Sequence, residues 1–442
     1  MAALALTFAA CSNDDNEILT PEQLQKAEGI PFTATISMGE SASTRALTEN
    51  GTTIEATWAT GEKVALIYTV SATTYVKEAE VTPQGDGTAT ISTTLEGNPA
   101  DNTDVTIVYP ASAVDETTKD VKTNLLASQN GLLTGTGSIA EKYELRKTTT
   151  PAKLKIDGTT ASLKGTVSLT NQNAIFKLTL KDIDGTGDVS ATSIVISDQT
   201  GVVTTVTPAS AASEMYVALP TTATTLKFSV TNGTTNYFNM ASGLSLSASY
   251  YQSTIKLATV GDVILSTGKC AKAGADGAVA KITYLGSDNG EAAPFNHGLA
   301  LAMSDASSGG YLKWSTSTSD AGHSKQTSDS FTSESGLQYN ATHNSDTYPA
   351  FKAAIANNGT AAPTGCSAWF LASGYQWKKM IDTYGLSNLK TTAGDYTGLQ
   401  SLNYWSSSER SASYAWFFFA DDGDWGRDRK DIDYLVRACL AF

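Results

Sequence analysis

The chain has 442 residues, long enough for about three domains of ordinary size. Hydrophobic residues make up 41% and charged residues 17%, so buried cores can form and wholesale disorder is not expected. A formal net charge of −14 argues against nucleic acid or an anionic membrane surface as partner.

The first ten residues, Met1 to Ala10, are small and almost wholly apolar, and they run into Phe8-Ala9-Ala10-Cys11. The segment is too short to span a bilayer, and such segments are set aside from fold reasoning. It resembles the end of a lipoprotein signal peptide with its lipobox, which implies a lipidated Cys11, although the usual basic start is absent. The plain structural reading is a short buried apolar helix. Ser12-Asn13-Asp14-Asp15 follows, and resembles the surface-export signal of some Gram-negative lipoproteins. Residues 12–30 read as a polar tether with one helical turn at Pro21 to Leu24. Phe32 to Ile36 alternates apolar and polar, as a half-buried strand does. The stretch Gly39 to Leu47, rich in Ser, Thr and Ala, reads as an exposed loop carrying Arg45.

From there to about residue 257 strand follows strand. The expected strands are Val64–Val70, Val105–Tyr109, Ala174–Leu180, Ser193–Ser197, Met215–Leu219, Leu226–Val230 and Tyr237–Met240. Asn232-Gly233 predicts a type I′ hairpin between the last two. No ten-residue amphipathic helix interrupts the run, so β-sandwiches are expected. Some 210 residues are many for one sandwich, and the turn-rich Lys147–Ser162 stretch places a division near 165.

Four segments carry a resemblance: Thr44-Arg45; the run Ile54 to Val64 with its Trp58-x-x-Gly61-Glu62 turn; Asn171 to Leu180; and Leu244 to Leu257 with Tyr250-Tyr251. They resemble the two β-sandwich domains of fimbrillins, the subunits of type V pili. That resemblance implies maturation by an arginine-specific protease at Arg45, with Arg146 as the competing candidate. It also implies that losing the Phe32–Ile36 strand opens a groove for a donor strand from another subunit.

After Thr259-Val260-Gly261-Asp262 the composition changes, and six of the seven Trp residues fall beyond this point. Two helices are predicted, Pro349–Asn357 and Gly374–Thr383, the second capped by Ser373. Strands are expected at Leu299–Ser304, Trp369–Leu371, Trp416–Phe419 and Val436–Leu440, giving a small α+β domain. Residues 404–442 alternate aromatic and Ser-rich blocks with polar scatter: Tyr404-Trp405-Ser406-Ser407-Ser408-Glu409, then Ala415-Trp416, Gly423-Asp424-Trp425 and Val436 to Phe442. With Phe295 to Ala302 and Ser373 to Met380, they resemble a C-type-lectin-like domain of the formylglycine-generating-enzyme type. The resemblance implies a frame of Trp405, Trp416, Trp425 and Arg437. On it would stand a ligand-binding set: Arg410, Ser413, Tyr414, Phe417, Phe419, Asp421, Asp422, Asp424, Arg427, Asp428, Arg429, Asp431, Asp433 and Tyr434. Exposed aromatics and Arg beside carboxylates are residue types that make binding hot spots. The plain structural reading is a solvated acidic loop before a core strand.

The predicted fold is therefore mainly β, two pilin-type β-sandwich domains followed by an α+β C-type-lectin-like domain. The expected segments are 1–11 (signal remnant), 12–45 (propeptide with the first strand), 46–165 and 166–260 (sandwiches), and 261–442 (ligand-binding domain). With Cys11 lipidated, Cys270, Cys366 and Cys439 allow at most one disulfide, in three alternative pairings. His297, His323 and His343 lie far apart in sequence and read as surface or turn residues, so no zinc site is expected. Calcium is not expected either: Glu-Pro-Asn and Gln-Pro-Asp are absent, and no Glu closes a twelve-residue loop begun at Asp421 or Asp422. No cofactor and no catalysis are expected, since Cys366 and Cys439 stand 73 residues apart without a recognisable active-site setting and Ser406-Ser407-Ser408 lacks a nucleophile elbow. The functional expectation is a tip subunit of a type V pilus, with other pilin subunits and a surface protein or glycan as partners and a lipid anchor in its outer-membrane precursor. A C-terminus folded into a domain, with no evident strand to donate, is the basis for expecting the tip. The alternative is a free-standing glycan-binding surface lipoprotein. An enzyme of the formylglycine-generating kind is the third class considered.

Overall fold

The computed structural model describes residues 29–38, 47–51, 53–55 and 58–442, and within these the fold is mainly β. The expectations for Cys11, for the turn at Pro21 to Leu24 and for Arg45 lie outside the described residues. The chain forms two compact units. Ala56–Val121 and Arg146–Thr170, with strand Ile30–Ser37, make the first; Ala46–Glu55, Lys122–Leu145 and Asn171–Phe442 make the second.

In the first unit, Ile30–Ser37 buries alternate residues, Phe32, Ala34 and Ile36, as its sequence period requires. It pairs antiparallel with Thr88–Leu95 along all eight residues. Its other edge pairs in parallel with Thr160–Leu163 and Val167–Ser168. From Thr88–Leu95 the ladder continues through Thr73–Pro83, Lys63–Val70, Asp104–Tyr109 and Ala152–Asp157, and returns to Thr160–Leu163. The sandwich layers expected here are thus joined edge to edge into a ring. The Trp58-x-x-Gly61-Glu62 turn closes one end. Gly61 sits at φ 88°, the left-handed region that glycine enters without strain. The Glu62 carboxylate accepts from Ala59 N (2.7 Å) and Tyr109 Oη (2.5 Å), and Trp58 meets the Tyr109 ring edge-on. Arg146 is half-buried in a short strand and donates to Met38 O (2.6 Å), rather than standing on an exposed loop.

The second unit begins with a sandwich. A three-stranded sheet places Asn173–Asp182 between Glu214–Pro220 and Tyr250–Leu257. It faces a five-stranded sheet whose core strands are Val202–Val206, Ser193–Ser197, Thr225–Thr231 and Asn236–Ser242. Phe176, Leu178, Ile194, Ile196, Val217 and Phe228 fill the space between them. The hairpin at Asn232 is present, but its loop is four residues, 232–235. Only Gly233 has positive φ, so the turn is not type I′, which needs positive φ at both central residues. The Asn232 side chain accepts from Thr235 N instead (3.1 Å).

The remainder of the second unit is built on a six-stranded sheet, in order Cys270–Ala271, Val263–Leu265, Ala278–Leu285, Gly298–Ala302, Ala438–Ala441, Phe370–Leu371. Both of its faces are buried. Ala300, Ala302, Ala438 and Leu440 point to one core; Leu299, Leu301, Cys439 and Ala441 point to the other. Helix Pro349–Ala356 buries Phe351 and Ala354 in the first core. Helix Gly374–Tyr384 buries Trp377 and Met380 in the second, and Ser373 with Gln376 forms its capping box. The first core also contains Phe238, Met240 and Ala258 of the preceding sandwich, and Phe238 meets Phe442 at 4.5 Å between ring centres.

Candidate ligand-binding face

Strands Asn403–Ser411, Tyr414–Phe419 and Trp425–Arg429 form a three-stranded antiparallel sheet. Its first strand holds the Ser run, and Ser406, Ser407, Ser408 and Glu409 are all fully buried. The pairing register breaks there, and the buried polar groups of the run find partners inside the protein except for the Ser407 hydroxyl, which has none. Ser406 Oγ donates to Trp416 O (2.8 Å), and Ser406 O accepts from Trp314 Nε1 (2.8 Å). Ser408 Oγ accepts from Gly374 N (2.8 Å) and donates to the Glu334 carboxylate. Glu409 is bracketed by Lys430, buried with it, and by Lys325.

Arg437 is fully buried. Its guanidinium donates to Asp305 Oδ1 (2.7 Å), Ala302 O (3.0 Å) and Thr397 O (3.0 Å), and lies over the Tyr396 ring. Tyr404 Oη takes the other Asp305 oxygen (3.0 Å). Trp405 and Trp416 are also buried, while Trp425 is half-buried against Phe331 and Phe418.

The fourteen candidate contacts do not share one patch. Alternation along Tyr414–Phe419 sends Tyr414 to one side of the sheet and Phe417 and Phe419 to the other. Tyr414 pairs with Arg429, and Trp416 with Arg427, so the two arginines stand on Tyr414's side. Arg429 is also forked onto Asp431, through Nε (3.0 Å) and a terminal nitrogen (2.6 Å). On the opposite side lie Phe417, Phe419, Asp428 and Tyr434. Phe417 is buried rather than exposed: it packs between Trp405, Phe419 and Tyr434, and a Cβ on Gly426 would sit 2.4 Å from its ring. Tyr434 Oη donates to Asp428 (2.7 Å). Asp421, Asp422 and Asp424 occupy the loop at one end; Ser413 sits in the turn at the other, and Arg410 near the end of the strand that leads into it.

One recess does form. Phe419, Asp421, Asp433 and Tyr434 line a shallow cavity of about 280 Å³ with Tyr311, Ser401, Leu402 and Asn403. Tyr311 is 55% exposed, and Leu402 and Phe419 are each 37% exposed. Large apolar side chains left in water together mark interaction sites. Sequence reading missed Tyr311 and Ser401 to Asn403 because they lie outside the aromatic and Ser-rich blocks. The strand pairing of Leu312–Lys313 with Asp433–Tyr434 brings that region in.

No protein-family model matches the chain, and no curated protein does. Among solved structures the chain is similar to a fimbrial protein from Bacteroides ovatus, at 15% identity and a TM-score of 0.34, over 94% of this chain and 99% of that one. It is also similar to a proposed cell adhesion protein from Bacteroides fragilis, at 15% identity and a TM-score of 0.32, over 52% of this chain and 94% of that one.

A larger cleft, about 610 Å³, lies elsewhere in this part of the chain, walled by Phe295, Leu337, Ile355 and Trp369. The carboxylate in its wall, Glu291, is already engaged by Ser335 Oγ, Leu337 N and Gln376 Nε2. The three histidines are buried, not on the surface. His323 Nε2 lies 3.3 Å from His343 Nδ1 although twenty residues separate them, and His323 stacks on Tyr339. His297 bonds Ser229 (2.9 Å). Cys270, Cys366 and Cys439 are thiols, and burial pushes the Cys366 thiol up to about 12, far from a nucleophile's range.

Proposed function

We propose that this chain is an adhesive tip subunit of a type V pilus, exported as a lipoprotein through Cys11. A cut after Arg45 frees its first strand, and a strand from another pilin subunit takes the vacated place. The observation that carries this reading is the position of Ile30–Ser37. It is held on both edges, and it inserts Phe32, Ala34 and Ile36 into the core of the first unit. Its departure leaves the facing edges of Thr88–Leu95 and Thr160–Leu163 unpaired above an apolar groove. An incoming strand satisfies both demands at once.

Strand Ala438–Ala441 is committed on both edges to Gly298–Ala302 and Phe370–Leu371, which anchors this part of the chain beneath the candidate face. Ligand binding is supported by the recess around Phe419 and Tyr434, where exposed aromatics stand beside Asp421 and Asp433. The ligand is a surface protein or glycan. The same recess would serve a free-standing glycan-binding lipoprotein, the second reading. N-terminal sequencing of protein extracted from the cell surface tests the maturation step. A start at Ala46 is expected; any other start overturns the cut at Arg45.

A further inference from the structure

A short hairpin, Thr48–Asn50 paired with Thr53–Glu55, groups with the second unit although more than a hundred residues separate it from the strands it meets. One side chain ties it there. The Glu49 carboxylate receives Lys177 Nζ (2.9 and 3.1 Å), Tyr216 Oη (2.6 Å), Tyr250 Oη (3.0 Å) and Gln252 Nε2 (2.8 Å). Gln252 also donates to Gly51 O at the hairpin's turn (2.5 Å).

The four donors come from the three adjacent strands of one sheet. Lys177 lies directly opposite Tyr216 on one side and Gln252 on the other. They occupy its outer face, since Phe176, Leu178, Met215, Val217 and Tyr251 take the alternate positions in the core. A cation, two phenols and an amide converging on two oxygens make a built carboxylate receptor. Tyr216, then Lys177, holds the Glu49 carboxyl down to about 2, against 4.5 ordinarily. Glu49 and Lys177 side chains are only 24% and 23% exposed, so this pair is better sheltered than a surface salt bridge.

We propose that Lys177, Tyr216, Tyr250 and Gln252 form a carboxylate-recognition site, and that the hairpin of Thr48–Asn50 and Thr53–Glu55 is a latch seated in it by Glu49. With the latch released, the site accepts the same acidic hairpin in trans. The inference does not rest on the pilus reading or on a cut at Arg45.

The test uses the full chain, its Glu49→Gln variant, and a Glu49→Gln/Lys177→Met double variant. Hydrogen exchange is followed over residues 46–55, and binding of a fluorescent peptide with the sequence of residues 46–55 is titrated. In Glu49→Gln, exchange of the hairpin should rise at least tenfold. The peptide should bind this variant, more weakly as salt is raised, and should not bind the unsubstituted chain, whose site is filled. The double variant should not bind it. Gln252→Ala provides an independent check and should also loosen the hairpin. Unchanged exchange in both Glu49→Gln and Gln252→Ala overturns the latch. Peptide binding that is absent in Glu49→Gln, or equal in the double variant, overturns the recognition site.

Discussion

Two buried ionisable groups, one charged and one kept neutral, set the chemistry of the C-terminal part at the level of single residues. All three nitrogens of the Arg437 guanidinium are bonded, to Asp305, Ala302 O and Thr397 O. Replacing Arg437 by Ala removes the cation from the buried Asp305 carboxyl group, which keeps only Tyr404 and Gln400 as partners, and should cost about 3–5 kcal/mol in urea unfolding. His323 is the second. Burial, then His343, Lys325 and Lys430, push its pKa down to about 3 from 6.5. The folded protein therefore refuses a proton that the unfolded chain accepts. Stability should be level above pH 6.5 and fall as pH drops from 6.5 towards 3. Imidazole NMR should find His323 neutral at about pH 5; a midpoint near its ordinary value would contradict this burial. Neither role was legible in the sequence. Spacing says nothing about which isolated histidines a fold brings side by side, nor which carboxylate a lone arginine meets.

Elements were legible wherever one face is buried and the other wet. Phe32–Ile36 alternates cleanly and Ala174–Leu180 does so from Phe176 on, and the structure extends each by a residue or two at its ends. Helix Gly374–Tyr384 carried both its cap and its apolar face in the sequence. The strands Thr73–Pro83 and Thr88–Leu95 were not legible: Thr, Glu and Lys line their outer faces, and few large apolar residues mark the inner ones. Asn403–Ser411 was hidden for another reason, since its buried positions are serines held by a bulge. The same period-two geometry divides the candidate face. Tyr311→Ala/Phe419→Ala should abolish binding of whichever glycan or protein an array finds with the full chain. Arg427→Ala/Arg429→Ala, on the other side of the sheet, should leave most of the affinity. The reverse pattern would move the site to Tyr414's side.

For the whole molecule, the way segments distant in sequence return to one unit guides experiments. The Ala46–Glu55 and Lys122–Leu145 segments join the second unit. Ser128–Gln129 pairs with Val202–Val206, and Gln129 bonds Ala218 through both its amide atoms. Composition, which changes near residue 262, carries no trace of these returns. Nor does it announce that Phe238 and Met240 help fill the core beyond that point. Binding experiments therefore belong with the full chain. The central claim is that the chain ends a filament and meets a ligand there. Immunogold labelling of intact cells, with an antibody to the C-terminal part, tests it most directly. The account predicts gold at filament ends; gold confined to the cell body would contradict it.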